Sequence, residues 1–339
     1  KILLLQYPEK SRYVRECQEN GVWVGIWNGD ETPLKWADVI VVSWWNHPLM
    51  ARFLRTFPLT SRPMILWSHV NGCHYPMLSC SFIDRFDRVL FTSPYSLKNP
   101  VWTSEESERV GACSEIVWGM GRFMPEQIEA KAAYNNQGNF TIGYIGTLNY
   151  GKLHPQFIAY CKAVCNRIPE AKFVMAGDRN EALKQEVHFA GLEKHFSFLG
   201  YGTDVPALMR SFDVFGYLLN PQHYGTTENV LLEAMACGVM PVVLRQNTEQ
   251  SIVPPEEAYV IDGPEEYGAR MSYLWDQSDR RAQLSYAARD YVRQHFDSAA
   301  NTARFRRVCQ QALEQVPKTH NFSFLGDAPW QWFLCCLDS

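Results

Sequence analysis

The 339 residues are 46% apolar and 20% charged, a composition that suits an ordinary globular chain long enough for two domains. A formal net charge of −4 speaks against nucleic acid as the main partner. The longest apolar runs, such as 39–45, are strand-sized and far short of the roughly 20 residues a membrane-crossing helix needs. The ten cysteines are scattered apart from Cys161/Cys165 and the adjacent Cys335 and Cys336, and none has the paired short spacing of a zinc site. They read as reduced, mostly buried thiols rather than a disulfide framework, which points to the cytoplasm. No signal peptide shows, but the chain begins at Lys1 without a Met, so an upstream segment or partner domain stays open.

In chain order, short β-rich runs at 2–6, 22–27, 38–43, 64–68, 88–92 and 115–118 alternate with helical stretches at 11–20, 47–57 and 76–86. Alternation of this kind predicts a parallel sheet covered by helices. Trp23, Trp27, Trp44 and Trp45 are expected in its core. The helix 47–57 sets Arg52 and Arg55 beside Leu49, Phe53 and Phe57. A core-facing helix is preferred there, with peripheral contact to a membrane as the alternative. Around 121–138 the chain turns polar, and a second alternation starts. It has strands at 141–145, 172–176, 196–199, 214–218 and 241–244, with helices at 155–167, 181–190, 205–211 and 229–237, and further helices over 265–316. The expected organisation is therefore two Rossmann-like α/β domains, 1–123 and 124–317, with a ligand cleft between them. The tail 318–339 is rich in aromatics and is expected to cross back to the first domain by burying Trp330, Trp332 and Phe333, or else to meet a partner surface.

The most informative stretch runs from Pro221 to Val243, where the polar loop Gly225-Thr226-Thr227-Glu228 leads into an apolar helix that stops at Gly238. A helix start after such a loop leaves several backbone N–H groups without helical partners and presents the positive end of its dipole, a ready anion site, with Thr226 and Thr227 as expected hydroxyl and amide donors. Glu233 lies one and a half turns further in, where a carboxylate can accept from sugar hydroxyls. Diphosphate at the tip and ribose at Glu233 is the geometry of a nucleotide-sugar site.

Glu233-Ala-Met-Ala-Cys-Gly238 followed by Pro241-Val-Val243 resembles the signature of the GT-B glycosyltransferases, and within them the large retaining family 4 group. In that signature a Glu, seven residues and a second Glu precede Ala-Met-Ala-x-Gly. The second Glu is matched by Glu233, whereas Gly225 stands in the place of the first, and Glu228 is the other carboxylate in the loop. The segment Tyr144-Ile-Gly146-Thr147-Leu-Asn-Tyr-Gly-Lys152 is similar to the family's Gly-Arg-Leu loop, whose Arg and Lys clamp the leaving diphosphate. Lys152 matches the Lys and Thr147 replaces the Arg. The resemblance implies that the loop from Gly200 and Tyr201 to Thr203 holds the base through backbone groups, and that His69, at the end of strand 64–68, sits under the transferred sugar, with His74 as the spare candidate. The first domain lacks a Gly-x-Gly-x-x-Gly loop, which speaks against a dinucleotide-binding dehydrogenase.

What the resemblance implies is a retaining, metal-independent GT-B glycosyltransferase. It would move a sugar from a nucleoside-diphosphate donor to a hydroxyl of a saccharide or lipid-linked saccharide, in glycan or polysaccharide synthesis. His69, Lys152 and Glu228 are the expected catalytic set. Gly146, Thr147, Gly200, Tyr201, Thr226, Thr227, Asn229 and Glu233 are the expected donor contacts. No cofactor beyond the donor is called for, and no Asp-x-Asp pair marks a metal site. Two rivals stay open: a GT-B nucleotide-sugar epimerase, and a non-catalytic nucleotide-sugar-binding scaffold, which the departures at Gly225 and Thr147 keep alive.

Overall fold

The structure is a computed structural model that describes residues 1–339 apart from 10, 59–60, 133–137, 139, 203, 247, 327, 329 and 332–339. The chain divides into two compact units, one formed by Lys1–Val117 with the chain from Thr302 onward and the other by Trp118–Asn301. The changeovers thus fall at 117/118 and 301/302, where the sequence suggested 123/124 and 317/318. Among the described residues every pairing between named strands is parallel.

In the first unit, β1 (Ile2–Leu4) pairs with β2 (Val24–Ile26), and β3 (Ile40–Trp44), β4 (Met64–Ser68), β5 (Arg88–Phe91) and β6 (Ser114–Ile116) form a separate sheet in chain order. The central strands β4 and β5 read as continuous apolar runs because helices cover both faces of a parallel sheet. Met64, Ile65, Leu66, Val89, Leu90 and Phe91 are fully buried. A helix over Ser104–Cys113 begins with a reciprocal cap, Thr103 Oγ1 accepting from Glu106 N–H and the Glu106 carboxylate from Thr103 N–H. The Thr-x-x-Glu spacing advertised this helix, which the apolar periodicity alone did not.

Several aromatic residues lie elsewhere than expected. Trp44, the last residue of β3, is in the core, but Trp45 and Trp23 are exposed and lie one residue outside the ends of β3 and β2, where the helix-covered sheet no longer encloses them. Trp330 is also exposed, and Trp332 and Phe333 lie outside the described residues. The later chain instead joins the first unit's core through Val308, Ala312, Phe322 and Leu325. The helix Pro48–Arg55 buries Ala51 and Leu54 and leaves Arg52 outside, the core-facing arrangement. Among the described residues, no helix is long and apolar enough to cross a membrane.

Among the described residues the second unit is built on six strands: β7 (Thr141–Ile145), β8 (Lys172–Ala176), β9 (Phe196–Leu199), β10 (Val214–Tyr217), β11 (Pro241–Leu244) and β12 (Val260–Ile261). Their order across the sheet is β9-β8-β7-β10-β11-β12. The chain starts at β7, steps outward to β9, returns beside β7 with β10 and steps outward the other way. This is the doubly wound Rossmann order, and the loops leaving β7 and β10 diverge at its switch point, where ligands bind in such sheets. The helix Asn229–Ala236 follows β10 and buries Leu231, Leu232, Ala234, Met235 and Ala236. It ends where Gly238 turns left-handed (φ 74°) and Val239 N–H reaches back to the Ala234 carbonyl at 3.0 Å, a stop that favours glycine. Arg289 donates to the carbonyls of Ala236, Pro125 and Ile128, so a fixed cation sits at the negative end of that helix.

Candidate functional site

The loop leaving β7 is tied to the one leaving β10. Asn220 N–H donates to the Lys152 carbonyl at 2.8 Å, Asn220 Nδ2 to the Tyr150 carbonyl at 2.7 Å, and His154 N–H to the Leu218 carbonyl at 3.0 Å. These bonds place the Lys152 side chain against the start of the helix Asn229–Ala236. Lys152 Nζ donates to both carboxylate oxygens of Glu228, at 2.8 Å to Oε1 and 2.6 Å to Oε2. Two of the ammonium's three N–H groups are thereby engaged.

Glu228 is the N-cap residue of the helix, yet its side chain makes no cap. It turns the other way, into the interior, where Tyr217 Oη donates to Oε2 at 2.7 Å and His223 Nδ1 stands 3.7 Å from Oε1. Burial opposes charge on this carboxylate, but the Lys152 ammonium and the bond from Tyr217 outweigh it and hold its pKa below the ordinary value. The same burial, together with Glu228 itself, keeps the Tyr217 hydroxyl protonated far above the usual tyrosine range. Gly225 N–H donates to His223 Nδ1 at 3.1 Å, which makes that nitrogen the acceptor and leaves Nε2–H to donate to Glu249 Oε1 at 2.9 Å. Tyr217, His223 and Glu249 escaped the sequence reading. Tyr217 looked like a core strand residue and Glu249 lies beyond the next strand. His223, a polar residue in the loop already singled out, was the available signal.

The other expected donor residues cluster in the same unit. Thr227 Oγ1 accepts from Gly119 N–H at 2.9 Å, and Glu233 Oε1 accepts from Arg122 N–H at 2.7 Å. The segment 119–122 therefore lies along the first turns of the helix, and Asn229 sits beside it: a methyl group on Gly119 would come within 2.8 Å of Asn229 Oδ1. Burial raises the pKa of Glu233, partly offset by the bond from Arg122. Thr226 is buried at the loop's end. Gly146 and Thr147 leave β7 directly, and the Thr147 carbonyl accepts from Tyr144 Oη at 2.9 Å. Gly200 and Tyr201 follow β9 at the same, carboxyl edge of the sheet. The Tyr201 ring is exposed, and Thr203 lies outside the described residues.

His69 belongs to the first unit, just past β4. Its ring is sandwiched between Trp45 (centroids 4.7 Å apart, planes at 8°) and Trp67 (4.9 Å, 36°). Burial lowers its pKa to about 4, so the imidazole is neutral at physiological pH.

A doubly wound parallel sheet with ionisable and hydroxyl side chains gathered at its switch point defines an α/β fold with its polar groups where such sheets bind ligands. Residues 126–291 match the family model described as glycosyl transferases group 1. That segment belongs to the group 1 glycosyl transferases, and the chain has the GT-B fold. It is similar to Anabaena Alr3699/HepE, solved in complex with UDP and glucose, at 16% identity over 91% of each chain with a TM-score of 0.68. A glycosyltransferase from Rickettsia africae ESF-5 is similar at 10% identity, covering 93% of this chain and 90% of that one with a TM-score of 0.66. Sucrose-phosphate synthase from Thermosynechococcus elongatus is similar at 15% identity, covering 89% and 76% with a TM-score of 0.62. No curated protein matches the sequence.

Proposed function

We propose that the chain is a retaining glycosyltransferase that moves a sugar from a nucleoside-diphosphate donor to a hydroxyl of a saccharide or lipid-linked saccharide, in glycan or polysaccharide synthesis. The observation that carries this reading is the Lys152–Glu228 pair at the start of the helix Asn229–Ala236. The third ammonium N–H of Lys152 offers a donor to a diphosphate, and the helix dipole adds positive potential; Thr226, Thr227 and Asn229, at the helix start, are assigned to the donor's contacts. As the glycosidic bond breaks, negative charge grows on the leaving diphosphate, and a cation already held in place stabilises that state without reorganising. Lys152 and the helix provide this neutralisation in our reading, with no metal assigned a part.

Glu233 is assigned to the ribose. Its Oε1 is held by Arg122 N–H, which fixes the rotamer, while Oε2 accepts no other bond among the described residues. Glu228, expected at the donor sugar's hydroxyls, is turned into the interior with both oxygens engaged, so it is assigned to holding Lys152 in place, and Gly200 with Tyr201 to the base. Retention, and the role of His69 at the transferred sugar, follow the likeness to the family. The structure of Alr3699/HepE with UDP and glucose supports a uridine donor as the first to try.

The test is a panel of nucleoside diphosphates and their sugars, read first by thermal shift, since a ligand that binds only the folded state raises its stability by mass action. Slow hydrolysis of a binding donor without acceptor is then expected. Donor binding with no hydrolysis would identify a scaffold, and interconversion of the sugar an epimerase.

A further inference from the structure

We propose that the outward face of Trp45 is a stacking platform for a pyranose ring. This deepens the glycosyltransferase reading and rests on it for the identity of the saccharide. Trp44 and Trp45 are consecutive, yet Trp44 is 1% exposed and Trp45 57%. What sets this open indole apart from the others is its backing. The ring is held flat. One face lies on His69, nearly parallel at 8°, and His69 in turn leans on Trp67, so three rings run from the interior to the surface. Because His69 is neutral, that stack presents an uncharged apolar plane.

The backbone fixes the plane as well. Asn46, the next residue, has φ 53°, the only non-glycine residue in the left-handed region among those described. That conformation is uncommon and persists where the surroundings over-determine it. Here Asn46 Oδ1 accepts from Trp44 Nε1 at 2.6 Å, Asn46 Nδ2 donates to the Pro76 carbonyl at 3.0 Å, and His69 N–H donates to the Trp44 carbonyl at 2.9 Å. A rigid aromatic plane backed by a second ring matches the C–H face of a pyranose, whose hydroxyls then point to the rim and to water.

The experiment is saturation-transfer-difference NMR on the full chain with millimolar maltose, cellobiose and methyl N-acetylglucosaminide. At least one should receive magnetisation at its ring C–H protons. Trp45→Ala should cut that signal at least tenfold, Trp45→Phe should keep half or more, and Trp36→Ala, at another exposed indole, should leave it unchanged. No signal with any of the three sugars overturns the proposal, as does an unchanged signal in Trp45→Ala or an equal loss in Trp36→Ala. A second arm measures UDP-glucose hydrolysis. An unchanged KM in Trp45→Ala assigns the platform to the acceptor's sugar, and a raised KM to the donor's. Failure of the glycosyltransferase reading shows separately, as wild-type protein that neither binds nor hydrolyses any nucleotide sugar.

Discussion

The carboxylate of Glu228 occupies the space in which a side chain at Gly225 would begin. A methyl group built on Gly225 would lie 2.1 Å from Glu228 Oε1 and 2.9 Å from His223 Nδ1. Gly225 is the position at which the family signature carries its first Glu. The departure therefore has a steric logic in which the carboxylate arrives from three residues later in the chain and the backbone at 225 makes room for it. Lys152 is fixed by the same exchange, since both of the carboxylate's oxygens engage it.

Gly225→Ala should push Glu228 off Lys152. The neighbour that must move is a buried ion-paired carboxylate, so we expect about 1–3 kcal/mol of lost stability, the usual range for overpacking. Donor affinity should fall with it. Calorimetric unfolding and a nucleotide titration check this, and a variant as stable as wild type would show that Glu228 has another place to go.

Glu233→Ala leaves Arg122 N–H without its acceptor as well as removing the assigned ribose contact. The expected weakening of nucleoside diphosphate binding is on the order of 1–3 kcal/mol, read by titration calorimetry. Glu233→Gln separates the two roles. An amide oxygen still accepts from Arg122, so unchanged affinity in Glu233→Gln together with a loss in Glu233→Ala marks the carboxylate as structural.

The second unit was legible nearly to the residue because its strands are buried, uniform and closely punctuated. The strands 141–145, 172–176, 196–199 and 241–244 have the predicted bounds. The two-residue β12 is too short to show any period. In the first unit the ends of strands and the exposure of Trp23 and Trp45 were obscured together, since composition marks a tryptophan as apolar without saying whether the strand beside it has already ended. Within the site, Lys152, Glu228 and Glu233 were named from the resemblance to the family's motifs. Their pairing could not be, because the contact between Lys152 and Glu228 spans 76 positions and depends on how the loops after β7 and β10 meet. His223 and Glu249 were hidden for the same reason.

Both ring nitrogens of His320 face carbonyl oxygens, Nδ1 that of Arg85 at 2.7 Å and Nε2 that of Arg62 at 3.1 Å, with Asp87 Oδ2 3.3 Å away. Two acceptors require two N–H groups, so the ring is an imidazolium. Burial disfavours that charge, but the bond to Asp87 and the carbonyls outweigh it and raise the pKa above the ordinary value. A raised folded pKa gives stability that is complete below the ordinary histidine pKa of about 6.5 and is lost as pH rises through the folded value. Asp87 also accepts from Lys318 N–H at 2.7 Å, so the segment around 318–320 should loosen on the alkaline side. Amide exchange at Lys318, corrected for intrinsic rate, should quicken above neutral pH in wild type. In His320→Gln it should be fast at every pH, and a flat, slow profile in wild type would count against the charged ring.

Lys152→Ala should do two things that one further substitution can separate. Turnover should fall by roughly two orders of magnitude or more, the size seen when a preorganised electrostatic donor is removed. Stability should also fall, by about 3 kcal/mol or more, because Glu228 is left buried without its cation. The acid dependence follows from the sign of the shift. With Lys152 present, the pair's contribution persists above the ordinary glutamate pKa of about 4.3 and disappears as pH drops through the depressed folded value. Without Lys152, burial dominates and Glu228 takes up a proton more readily, so the stability gap between the two proteins should narrow on acidification. Adding Glu228→Gln to Lys152→Ala removes the unpaired charge and should restore much of the stability while turnover stays low. Near wild-type turnover in the single variant would remove Lys152 from the leaving-group role. A double variant no more stable than the single would show that the uncompensated charge on Glu228 is not what destabilises Lys152→Ala.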